Sequence, residues 1–363
     1  MESGGRPGGC GPASRELQSG TPVTVAAGGP RGHPGKGASL TRILLLVGRL
    51  GVTVAVTMAI LKAVGLRMTD LGSIRVDTAL VSGPRLALSV ALLLAAFGAS
   101  ALLWRSLVVA LGGPSLGGRA AFAVTMVANL GRYLPGKVFQ LLGLAWLGRR
   151  MGVSAAVSTG AAVLGQVLHL VAAAMVGGVL LSATGVLSPS WRYAPLAAGV
   201  LAAGLVSWPG LASWLLRRLR ARQAGPMIDG DGFRGPGPRS LLPWTLGYII
   251  NWLLLGLAFQ ALATGLGLAL SYGLAVSAFA AAYLLGYLAL FAPAGIGVRE
   301  GFLVAFLGTT LGPGPALTLA TAQRVWMTVV EALGAALTWP GLRPSPLAGN
   351  GAGEEAAEGE DSS

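Results

Sequence analysis

The sequence predicts an all-α polytopic membrane protein with about seven long transmembrane helices plus two broken, re-entrant-like segments. Three observations carry that prediction. Hydrophobic residues make up 53% of the 363 residues and charged ones 11%, against about 25% charged in ordinary soluble domains. Apolar runs of a length that spans a roughly 30 Å hydrocarbon core recur along the chain. Two Pro/Gly breaks interrupt them and gather polar residues: Asn129-Leu-Gly-Arg132-Tyr133-Leu-Pro135-Gly136-Lys137-Val-Phe-Gln140 and Pro293-Ala-Gly295-Ile-Gly297-Val-Arg299-Glu300-Gly301.

Residues 1–39 are rich in Gly, Pro and Ser and lack apolar periodicity, which reads as a disordered cytoplasmic tail. A transmembrane domain is expected over 40–340. Its long spans are 43–65, 86–104, 156–184, 193–216, 241–268, 271–292 and 316–339, the second ending on a Trp104-Arg105 interface anchor. Between 119 and 147 the two apolar halves, 120–130 and 138–147, are each too short to cross a bilayer at about 1.5 Å per residue. Two half-helices that dip in and return to one side fit better than a single kinked span. The loop 217–240 carries six arginines, a cytoplasmic marker. Together with Arg105, Arg119, Arg149 and Arg150, it places the N-terminus inside, in the cell (cytoplasmic) membrane. Residues 341–363 form an acidic, disordered tail.

Charge and composition exclude several classes. The net charge of +13 suits loops against an anionic leaflet rather than a nucleic-acid surface, because aromatic and basic residues are not interleaved on a soluble face. A lone Cys10 and two distant histidines, His33 and His169, supply no zinc-type motif. Neither a metal nor a cofactor is expected. Gly131 to Lys137 mimics a phosphate-binding loop, but Val138 stands where the Mg²⁺-binding hydroxyl belongs and no strand precedes it.

Of the 13 acidic residues only Glu300 and Glu331 fall in or beside the apolar segments. Ionisable groups cost about 2.5–3.5 kcal/mol each at the centre of a membrane helix, so they mark function there. Thr321, Arg324, Thr328 and Glu331 share one face of the last span. Arg324 and Glu331 are about 10.5 Å apart along the axis, so each needs a partner from another element, water or a ligand. Arg299 and Glu300 either compensate one another at an interface or line the same cavity as the first break. Gln166 with His169, and Asn251 with Gln260, read as ordinary interhelix hydrogen-bonding groups.

Asn129-x-x-Arg132-Tyr133-x-Pro135-Gly136-Lys137, then Gly148-Arg149 and Gly152-Val-Ser154, resembles the lysylphosphatidylglycerol synthase transmembrane-region family. Pro293-x-Gly295-x-Gly297-Val-Arg299-Glu300 is similar to that family's second signature, with Ala294 in place of a usual glycine. In two-domain members this region resembles a lipid flippase, and a separate soluble domain performs aminoacyl transfer. The resemblance thus implies a flippase-like, non-enzymatic membrane protein that moves an anionic or aminoacylated phospholipid, or a polyprenyl-phosphate-type lipid, between leaflets. Headgroup-binding residues are then expected to be Arg132, Tyr133, Lys137, Gln140, Arg299, Glu300, Arg324 and Glu331. In that assignment Arg132, Lys137 and Arg299 hold phosphate, and Arg324 steadies Glu331 or the phosphate. Glu300 and Glu331 balance a cationic group or carry protons. Expected partners are membrane phospholipids, with a homo-oligomer or a separate lipid-modifying enzyme also open. The rival readings are an ion-coupled small-solute exporter and a membrane enzyme on lipid-linked substrates.

Overall fold

A computed structural model of the chain describes residues 81–133, 138–186, 189–190, 193–207, 241–289 and 297–342. The chain divides into two units after Leu45, and the first lies wholly outside the described residues. So do the expected first span, the basic loop, Lys137 and the acidic tail beyond Leu342.

Among the described residues nine α-helices form the second unit. They are α1 (Gly83–Ala110), α2 (Gly118–Asn129), α3 (Val138–Arg150), α4 (Ala155–Ala183), α5 (Ala194–Ser207), α6 (Leu242–Gly265), α7 (Tyr272–Leu288), α8 (Val298–Leu311) and α9 (Pro313–Thr338). Three of them, α1, α4 and α6, are both long and apolar enough to cross a membrane. The expectation of seven such spans is therefore met only in part. Within the described residues α7 is apolar but has 17 residues, and α5 is described only as far as Ser207.

Many outward-facing side chains are large and apolar. On α9 the residues Val325, Val329, Leu333 and Leu337 repeat every four positions and are all exposed, a stripe for lipid opposite the polar face. Inside the bundle, α4 is the central helix, packing against α3, α5, α6 and α7. Helices α1 and α6 run antiparallel along their whole length: Ser82 N–H bonds the Gly265 carbonyl at 2.8 Å, and Trp244 Nε1 donates to Ser106 Oγ at 2.7 Å near the other end. Helix α1 outlasts its expected end at Trp104 by a turn and a half. The Arg105 guanidinium explains this, since it reaches the Leu116 carbonyl and Ser115 Oγ of the following loop and does not stop the helix.

The segment around the first break folds as an antiparallel hairpin. Helix α2 passes through a 3₁₀ turn, Leu130–Tyr133, and α3 returns alongside it. Gln140 Nε2 donates to Asn129 Oδ1 at 2.8 Å across the hairpin. A Cβ on Gly131 would lie 2.7 Å from the Gln140 nitrogen, so the close return of the backbone requires glycine there. A second hairpin joins α8 to α9 through Gly312 alone. It begins at Gly297, whose φ of 80° lies in the left-handed region open to glycine.

Candidate functional site

The two hairpins meet on the polar face of α9, where each of its two charges finds a partner on a different element. Glu331 is fully buried. Its Oε1 lies 2.9 Å from Arg132 Nη1 on the first hairpin. Its Oε2 accepts from the Tyr133 hydroxyl at 2.7 Å. That hydroxyl in turn accepts from Thr328 Oγ1 at 3.1 Å, one turn earlier on α9. The 3₁₀ turn thus presents two consecutive side chains to one carboxylate. A carboxylate at this depth is tolerated because both oxygens are engaged.

One helical turn further toward the N-terminus of α9, Arg324 Nη1 lies 3.6 Å from Glu300 Oε1. Glu300 also accepts from the Gly297 backbone N–H at 2.7 Å through Oε2, closing the exposed start of α8. Of the two roles expected for Arg324, steadying Glu331 or the phosphate, the first is not seen: the seven-residue separation on one helix leaves Arg324 to pair with Glu300 and Glu331 with Arg132. Arg324 also lies over the Tyr133 ring at 5.4 Å.

Arg299, next to Glu300 in sequence, points elsewhere, and the two do not form an ion pair. Arg299 is 5% exposed, and among the described residues no carboxylate lies within ion-pair distance of it. Its guanidinium touches Met327 Sδ at 3.7 Å and lies over the rings of Phe279 at 4.8 Å and Tyr283 at 5.4 Å. Its Nε has no hydrogen-bond partner. Cation–π contacts offset part of the desolvation of a buried guanidinium, but not the lack of a counter-charge.

A cavity of about 50 Å³ brings these groups together, lined by Arg132, Tyr133, Gln140, Arg299 and Arg324 among others. Residues of both breaks and of the last helix therefore face one space. Three guanidiniums line it; Arg132 pairs with Glu331 and Arg324 with Glu300, neither carboxylate a lining residue, which leaves the charge of Arg299 over. A larger cavity of about 100 Å³ adjoins it, sharing Arg132, Gln140, Tyr283 and Met327 as lining.

Several residues of this site carried no distinguishing signal in the sequence. Met327, Tyr283 and Phe279 look like ordinary apolar or interfacial positions, and only the fold reveals that they cradle Arg299. Thr328 was legible as a member of the polar α9 face. The Gln166–His169 pairing is not found. His169 stacks on Trp252 at 4.8 Å, while Gln166 Nε2 and His169 Nδ1 have no partner. Gln260 does bond, to the Leu270 carbonyl at 3.0 Å.

The fold and site define a multi-pass helical membrane protein with a charged, partly unsatisfied interior. The chain belongs to the lysylphosphatidylglycerol synthase TM region family, whose pattern it matches over residues 45–334. That membership associates it with lipid-related function. No curated protein matches the chain.

Proposed function

We propose that this protein binds the phosphate of an anionic membrane lipid between Arg132, Arg299 and Arg324 and moves that lipid between leaflets, without chemical change to it. The observation that carries the reading is Arg299: a buried guanidinium with no ion-paired carboxylate among the described residues, lining a cavity with two other arginines. An uncompensated charge in an apolar interior is costly unless an anion joins it. A phosphate offers oxygens to several guanidiniums at once, with geometry suited to their planar forks. The paired hairpins support a translocation role. Short broken helices that return on themselves let polar backbone line an interior space, and in the bilayer the α2–α3 hairpin is then re-entrant. The setting is the cell membrane with the N-terminus inside.

The test is lipid flipping by the full chain reconstituted into vesicles that carry a fluorescent phosphatidylglycerol, read by quenching of the outer leaflet. Wild-type protein is expected to accelerate exchange. The Arg299→Met variant is expected to be slower by about tenfold or more, as for truncation of a buried charge that meets an opposite charge. Equal exchange in wild-type, variant and protein-free vesicles would overturn the reading.

A further inference from the structure

The larger cavity holds a set of polar groups that the phosphate site does not use. Trp104 Nε1, Gln166 Nε2, His169 Nδ1 and Asn251 Oδ1 are all buried without a hydrogen-bond partner, and their four residues all line this one cavity. Trp104 is 4% exposed and Asn251 2%. Three helices supply them, α1, α4 and α6, and Arg132 from the 3₁₀ turn after α2 adds an unpartnered Nε to the same wall. Buried polar atoms are nearly always satisfied, so several facing one space indicate something that satisfies them there. The amides of Gln166 and Asn251 can be turned either way, so the wall offers donors and acceptors in both orientations.

Two further features narrow the occupant. Among the described residues the cavity wall holds no Asp or Glu, and its charged member is Arg132. A cationic group would find repulsion there and no counter-charge. The wall is also aromatic: His169 stacks on Trp252 and meets the edges of Tyr248 and Tyr283 at 5.6 and 5.3 Å. Such faces suit the C–H side of a polyol, while the N–H and amide groups suit its hydroxyls. At about 10–15 Å³ per water-sized centre, a volume of about 100 Å³ takes a glycerol-sized or somewhat larger group.

We infer that this cavity is a headgroup subsite for an uncharged, hydroxylated substituent, a glycerol or cyclic polyol carried on the phosphate, and that it disfavours aminoacylated headgroups. The inference rests on the proposed phosphate site, because it places the polyol beyond Arg132 with the phosphate in the smaller cavity. Arg132 is the joint between the two.

The test measures binding of the full-length protein in nanodiscs to phosphatidylcholine vesicles doped with phosphatidylglycerol, phosphatidic acid or lysylphosphatidylglycerol. Wild-type protein is expected to prefer phosphatidylglycerol over each of the other two by at least about tenfold, the scale on which polar sites discriminate a missing hydroxyl. Trp104→Phe, which keeps a ring and removes one donor, and Asn251→Leu are each expected to pull the phosphatidylglycerol to phosphatidic acid ratio toward one. Trp104→Phe keeps the test open should Asn251→Leu not fold. Soluble glycerol phosphate as competitor separates the sources: competition at concentrations matching the lipid assigns the subsite to a free polyol phosphate, and weak competition assigns it to a lipid headgroup. Equal binding of all three lipids by the wild type, with the ratio unmoved in both variants, overturns the subsite and leaves the phosphate site standing. Binding of none of them overturns both.

Discussion

The two charged junctions on α9 use the same residue types to different ends. At the Glu331 junction, Arg132 and Tyr133 engage a fully buried carboxylate at 2.9 and 2.7 Å, and Thr328 donates to the Tyr133 hydroxyl at 3.1 Å. At the Glu300 junction, the ion pair is looser, 3.6 Å, and the neighbouring Arg299 has no carboxylate within ion-pair distance among the described residues. The first junction pairs its two charges within the protein and holds the α2–α3 hairpin to α9. The second leaves positive charge unspent toward the shared cavity. The difference separates a latch from a receptor site, although sequence alone would weigh all five charges alike.

Breaking the latch is expected to have the largest effect. Glu331→Gln keeps the shape and hydrogen-bonding capacity of the side chain but leaves the Arg132 charge unmatched in the interior. Removing one partner of a buried pair costs about 3–5 kcal/mol, and the 22% exposure of the Arg132 side chain puts the expectation near the lower figure. Thermal unfolding of the detergent-solubilised protein reads the loss. An Arg132→Gln/Glu331→Gln double variant is expected to recover part of it, and strict additivity of the two single effects would show that the pair is not coupled.

Arg299→Met is expected to act in the opposite direction on stability. The methionine meets Met327, Phe279 and Tyr283, and it removes a guanidinium that has no counter-charge. Replacement of a buried ionic group by an apolar one of similar size is often neutral or stabilising, by about 1–4 kcal/mol. An expected gain near about 1 kcal/mol accompanies the loss of lipid transport. A variant that unfolds as Glu331→Gln does would show Arg299 to be a structural strut, and the contrast between the junctions would collapse.

The sequence made part of this legible. Glu300 and Glu331 stood out because acidic residues are so scarce in the apolar segments, and helical spacing put Arg324 and Glu331 too far apart to pair. That arithmetic called for partners from other elements, which the fold supplies as Glu300 and Arg132. The α2–α3 hairpin was legible from two apolar halves around Pro135-Gly136, each shorter than a membrane span. The choice of partner was not legible. Whether Arg299 pairs with its neighbour Glu300 depends on the helix that starts at Gly297, because successive residues on a helix diverge by roughly 100° and point to different surroundings. The larger cavity escaped notice for a related reason. Trp104, Gln166, His169 and Asn251 lie on three helices far apart in sequence, and no spacing rule links them. Span lengths were only partly legible, since α7 ends at Leu288, within the expected span 271–292.

The smallest expected effect tests how the latch itself is built. Thr328→Val keeps the branched shape and removes the hydroxyl that donates to Tyr133 at 3.1 Å. The Tyr133 hydroxyl still donates to Glu331 at 2.7 Å, so the carboxylate keeps both of its partners. Loss of one neutral hydrogen bond costs about 0.5–1.5 kcal/mol, and the valine methyl repays some of that by packing. A drop of under about 1 kcal/mol in thermal unfolding is therefore expected, with flipping unchanged within a factor of about two. A loss as large as that of Glu331→Gln would mean that Thr328 fixes the tyrosine for the carboxylate. The latch would then be a four-member network whose strength is shared along its length, not an ion pair with one supporting hydrogen bond.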